Sequence, residues 1–202
     1  MAAPASPAAA FSFSESEKPA PPDAAPGKKS IVLRPECSAR LKNKRVVAVI
    51  GERHLERGYE VDPSRYTGII NELNTRLNAI GLRTLTPKEL TEQVAQAEQE
   101  AILANDIEAA MTASKRLNAQ FTLKGLIASR VQKNPVVGID EVFVTLQLSL
   151  MDAGGRKIAG SRIEGATFSG ADTVAALYNL VEEQADQAVA EIYEGYCGSS
   201  GK

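Results

Sequence analysis

EVFVTLQLSLMDAGGRKIAGSRIEGATF runs from Glu141 to Phe168, and its reading decides the fold. Between Val142 and Leu150 every second residue is aliphatic: Val142, Val144, Leu146, Leu148 and Leu150 alternate with Phe143, Thr145, Gln147 and Ser149. A period of two puts the aliphatic set on one face of a β-strand. Asp152, Ala153, Gly154 and Gly155 then supply the positive-φ positions that a tight reversal needs, so Arg156 to Phe168 returns as the second arm of a hairpin. The dry face of that hairpin needs a cover, which the rest of the chain must provide.

Immediately upstream, Gln120 to Arg130 reads as a further strand, followed by the loop VQKNPVVGID. Near the start, KRVVAVIG at Lys44–Gly51 is apolar and β-branched at nearly every position, the pattern of a central strand covered on both faces. ERHLERGYEV, from Glu52 to Val61, is charged and contains a glycine, and reads as a long loop. Asp62 and Pro63 suit a helix start. Behind them Tyr66, Ile69, Ile70, Leu73, Leu77 and Ile80 form one helical stripe, closed by Gly81. Leu82 to Leu85 is a short strand. Thr86, Pro87 and Glu89 form a capping box with proline in the first turn, opening a helix to Ala104 with a stripe of Leu90, Val94, Ala97 and Ala101 and a solvated Glu/Gln face. Asn105 and Asp106 interrupt, and a third helix turns Ile107, Ala110, Met111, Ser114 and Leu117 inward. A last helix begins with a capping box at 169–172, carries Val174, Leu177, Val181, Ala185, Ala188, Val189 and Ile192 on one side, and stops at Gly195. The sum is an α/β (α+β) sandwich: a mixed sheet of about five strands with a late β-hairpin, packed by about four helices.

Composition bounds the function. The 202 residues, 44% hydrophobic and 24% charged, suffice for one substantial core. Residues 1–29, rich in proline and alanine, read as a disordered tether, 30–197 as the single globular domain, and 198–202 as a flexible tail. A net charge of −2 lacks the basic footprint of a nucleic-acid binder. No apolar run approaches the roughly 20 residues needed to span a bilayer, and no charged head with an apolar core marks a signal peptide. The two cysteines, Cys37 and Cys197, stand at the two ends of the domain, where a disulfide clasp is expected; two free thiols in a reducing compartment are the alternative.

No pattern for catalysis, cofactor binding or metal ligation emerges. Gly154 and Gly155 join two strands and open no helix, so they cannot cradle a phosphate. His54 is the single histidine, in a charged stretch with no cysteine or second histidine to pair with. The acidic residues are scattered. The chain is expected to be no enzyme, with no cofactor.

Three local patterns carry a family resemblance: VVAVIGE leading to the helix, break, short strand and new helix of RYTGIINELNTRLNAIGLRTLTPKEL; LNAQFTLKGLIAS; and VTLQLSLMDAGGRKIAGSRIEG with its D-x-x-x-G turn. Together, over about Lys44 to Gly165, they resemble the LpoB-type outer-membrane lipoprotein activators of penicillin-binding proteins, and more broadly the periplasmic domains of the curli secretion channel and the TolB N-terminal domain. The Pro/Ala tract is similar to the tether of such lipoproteins, although no lipobox cysteine precedes it. The resemblance implies a periplasmic, non-catalytic protein that binds another envelope protein, such as a peptidoglycan synthase, with a membrane connection only through an N-terminal lipid anchor removed from this chain. The alternative is a structural subunit that self-associates through a sheet edge, as a homo-oligomer. Loops are where partner-binding residues tend to lie. The candidates are therefore Arg53, His54, Glu56 and Arg57 in one loop, and Val136, Val137 and Ile139 in another. For the second loop, folding back on the domain's own core is the competing expectation.

Overall fold

The aliphatic alternation from Val142 to Leu150 is realised at every position: all five side chains are buried on one face of a mixed sheet. The computed structural model describes residues 31–54, 58–133, 135–136, 138–168 and 173–199. The tether 1–29, the capping box at 169–172 and residues 200–202 lie outside the described residues. In chain order the elements are α1 (Pro35–Leu41), β1 (Arg45–His54), β2 (Gly58–Glu60), α2 (Thr67–Ala79), β3 (Arg83–Thr84), α3 (Pro87–Gln93), α4 (Gln96–Leu103), α5 (Ile107–Arg116), β4 (Phe121–Lys133), β5 (Asp140–Asp152), β6 (Lys157–Phe168) and α6 (Thr173–Ser199).

The strands lie in the order β2-β1-β4-β5-β6, with β3 also paired to β1. β1 runs parallel to β4 and β3 and antiparallel to β2, while β4, β5 and β6 form an antiparallel meander. As its sequence requires, β1 is covered on both sides: Val46, Val47, Ala48, Val49 and Ile50 are all buried. On one face α2 and α6 pack with the aliphatic set of β5 into the larger core; on the other, α3, α4 and α5 close a smaller core on Val47, Val49 and Met151. The β5–β6 turn is built as its residues predict. Asp152 Oδ1 accepts from the amides of Gly154 and Arg156, both at 2.9 Å. Gly155 sits at φ 77° with its Cα against Ile107, where a Cβ would come within 2.7 Å of that side chain.

Cys37 and Cys197 form the expected disulfide, with a Cα–Cα distance of 5.7 Å that is ordinary for such a bridge. Beside it the Tyr193 hydroxyl accepts from the Arg34 amide at 2.8 Å and donates to the Arg34 carbonyl at 3.1 Å. The segment before β1 is thus fastened to the end of α6.

Several local expectations are corrected. Glu52 to Val61 is no long loop: Glu52, Arg53 and His54 continue β1 and pair with Glu60, Tyr59 and Gly58 of β2. α2 starts at Thr67, because Asp62 Oδ1 takes the amides of Ser64 and Arg65 (3.0 and 3.2 Å) into a separate turn. The helix expected from Thr86 to Ala104 is two helices. Its capping box is present, but Val94 and Ala95 are extended, and buried Gln99 donates from Nε2 to the freed Val94 carbonyl at 2.9 Å. Ala97 is exposed and Ile102 and Leu103 are buried in its place. Ile107, expected inward, is 56% exposed. Gly195 does not end α6; a Cβ there would lie 2.8 Å from the Ala159 side chain, so it is a close-packing position.

Candidate functional site

β4 continues six residues beyond Ile127, the last to pair with β1, and ends at Lys133. At about 3.3 Å per residue, β4 runs roughly 20 Å past its last pairing with β1 at Glu52. On the face opposite the larger core, α3 to α5 cover only the near half of the sheet, around Met151. Among the described residues, no helix covers the far half. There Arg130 lies directly opposite Phe143 in the strand register, its guanidinium 4.7 Å from the ring centroid, an attractive cation–π geometry. Across the next strand, Arg162 Nε and Glu164 Oε2 are 2.7 Å apart on exposed side chains. Arg130, Phe143, Thr145, Arg162 and Glu164 line one shallow depression on this part of the sheet.

Apolar side chains gather at the tip. Val131 is 66% exposed, Val136 88% and Ile139 43%. The expectation that this loop folds back on the domain's own core is therefore not met at Val136 and Ile139; Val137 lies outside the described residues. β4 runs on to Lys133 and β5 resumes at Asp140, so six residues join them at the far end of the strands.

The other candidate group lies on the β1–β2 hairpin. Arg53 is exposed on β1, the His54 backbone pairs with Gly58, and Glu56 and Arg57 lie outside the described residues. Arg53 and Val131 lie toward the same end of the sheet, but the projection of β4 past β1 separates them. At the foot of the hairpin, Glu52 is 3.6 Å from Arg65 and hydrogen-bonded to the hydroxyl of buried Tyr66. Burial first, and the Glu52 carboxylate second, push the Tyr66 phenol above its ordinary value, so it remains a neutral donor.

A third grouping was not singled out from sequence. Lys124, on β4, is only 8% exposed. Its Nζ donates to Asn105 Oδ1 at 2.5 Å and lies 6.0 Å from the centroid of the Tyr59 ring, and among the described residues no carboxylate pairs with it. A lysine inside the otherwise apolar strand FTLKGLIA was the available signal. Burial depresses its pKa from the ordinary lysine value of 10.5. The unfolded chain then binds more protons than the native one between the depressed value and 10.5, so the penalty is full below that window and is relieved as pH rises through it. Lys124→Met is expected to unfold at higher urea than the parent at pH 7, by on the order of 1 kcal/mol. That advantage should shrink toward zero as the pH approaches 10.5; an advantage independent of pH would assign it to packing instead.

No protein-family model matches the sequence, and no curated protein matches it. Solved structures similar to the chain include the PelC dodecamer of Paraburkholderia phytofirmans, 16% identical with a TM-score of 0.41 over 73% of this chain and 90% of that one. Lipoprotein GNA1162 of Neisseria meningitidis is 11% identical, with a TM-score of 0.48 over 72% of this chain and 99% of that one. The LpoB C-terminal domain of Salmonella enterica is 16% identical, with a TM-score of 0.33 over 65% of this chain and 91% of that one.

Proposed function

We propose that this chain is a non-catalytic periplasmic domain that binds another protein of the cell envelope through the projecting end of β4 and β5. The observation that carries this reading is the exposed apolar tip of Val131, Val136 and Ile139, set at the end of a three-stranded projection of β4, β5 and β6. Apolar groups concentrated at such a position mark interaction sites more often than isolated exposed residues do. The Cys37–Cys197 bridge supports the compartment, because disulfides persist where the surroundings are oxidising. By the family resemblance, the partner is a peptidoglycan synthase or a similar envelope component, and residues 1–29 serve as the tether to the outer membrane.

A photo-crosslinking residue placed at Val136 in cells tests this reading. A covalent adduct with a different envelope protein is expected, and Ile139→Asp should weaken that complex by about tenfold or more while changing stability by no more than about 0.5 kcal/mol. Absence of any adduct would refute the tip as a binding surface.

One observation favours the self-associating alternative. β6 is an edge strand of 12 residues, and antiparallel pairing of two copies about Ile163 would set Arg162 of each opposite Glu164 of the other. Gln184 Nε2 already donates to the Glu164 carbonyl at 3.1 Å, which covers part of that edge. Adducts between copies only, together with a large species in light scattering at micromolar concentration, would favour this reading over the adaptor; a clean monomer would eliminate it.

A further inference from the structure

Where α5 meets the sheet, on the face opposite the larger core, three strands bring polar groups into one transverse row. Lys124 of β4 is the register partner of Ser149 of β5, and Ser149 is the partner of Gly160 of β6. The missing side chain of Gly160 leaves room for the amine of Lys157, which lies 3.0 Å from where a Cβ would be. A hydroxyl is thus flanked by two amines, one almost buried and one from the surface. The row lines a cleft of about 180 Å³ whose remaining wall includes Ile102, Ile107 and Met151.

Charge and shape restrict what this cleft can hold. Asp106 is the acidic residue on its wall, and its Oδ1 is already engaged by the amides of Glu108 and Ala109 at 2.9 and 3.1 Å as the cap of α5. The Lys124 ammonium has three donors, and Asn105 takes one of them. A nearly buried cation without an anion is costly, and an anionic ligand would remove that cost while filling two donor positions. The apolar wall suits a short hydrocarbon stem. The volume is below the roughly 300–1,000 Å³ of drug-sized sites.

We propose that this cleft is a binding site for a small monocarboxylate with a short branched apolar stem, its carboxylate held by Lys124, Ser149 and Lys157 and its stem against Ile107 and Met151. Lys124 anchors the charge and Lys157 closes over it from the edge strand. Because Asn105 holds Lys124 from a left-handed backbone position, φ 68°, at the turn between α4 and α5, the anchor is in place before the ligand enters.

The test is a heteronuclear NMR titration of the full chain with 3-methylbutanoate at pH 7, beside the isosteric neutral amide 3-methylbutanamide. Saturable shifts confined to the amides around Lys124, Ser149 and Lys157 are expected with the acid, and none with the amide. Lys124→Met should weaken binding by about tenfold or more, and the exposed Lys157→Met by about threefold to tenfold. Both variants retain the fold under this reading, which their unchanged dispersed spectra would verify. Equal binding of acid and amide, binding unaffected by Lys124→Met, or no saturable shift at millimolar acid would each overturn the assignment.

Discussion

Replacing both Cys37 and Cys197 by serine should lower the free energy of unfolding by about 2–5 kcal/mol. The two residues are 160 positions apart, so the bridge removes much of the freedom of the unfolded chain while the folded chain already holds their Cα atoms 5.7 Å apart. Cys37 is on α1, a helix of only seven residues, and Cys197 is near the end of α6. Without the bridge, α1 keeps Leu41 in the core and the Tyr193 hydrogen bonds to Arg34 and Ser38, which a short helix cannot turn into comparable stability. Urea unfolding of oxidised and reduced protein, and of the double serine variant, measures the difference. A loss well below 1 kcal/mol would show that Tyr193 alone fastens the end of α6. Thiol labelling of the unreduced protein should meanwhile find no free cysteine.

Leu146→Ala should cost about 2–5 kcal/mol, and Gln147→Ala, one residue away, no more than about 0.5 kcal/mol. Leu146 has no exposed surface and lies mid-strand between Ile127 of β4 and Ile163 of β6 in the same core layer, so truncation leaves a hole that rigid strands on both sides cannot close. Gln147 points to the opposite, exposed face. Comparable losses at the two positions would mean that the sheet is not one-sided there, against the burial pattern. Chemical denaturation of the two variants decides it.

These two contrasts show which parts of the structure were legible in the sequence. Strict alternation at Val142–Leu150, the uninterrupted apolar run of β1 and the stripe from Tyr66 to Ile80 each encode burial in side-chain type, and each is buried as read. The β1–β2 hairpin was not legible, because Glu52, Arg53 and His54 pair through backbone groups that any side chain can carry; charged residues are common on such short edges. The break between α3 and α4 has no glycine or proline to announce it. The carbonyl freed there is taken up by the buried Gln99 side chain five residues on, a local contact that residue type does not announce. Gly195 misled for the opposite reason: glycine after a helical stripe usually signals a cap, but here the close approach of Ala159 requires it. Lys124 was visible as a letter in FTLKGLIA. What made it a candidate site is its neighbours, Asn105 from a turn, Ser149 from the next strand and Lys157 from the one beyond, which no local pattern brings together.

The fastening of Arg34 and Cys37 to the end of α6 also fixes a distance. β6 runs toward the exposed tip, and α6 returns from it, passing Leu180 over Gly165 and reaching Ala159 only at Gly195. With 27 residues at about 1.5 Å each, α6 spans roughly 40 Å. The chain therefore enters the domain at one pole and presents Val136 at the other. Under the proposed reading, the domain is a spacer about as long as α6, set between Ile31 and the apolar tip.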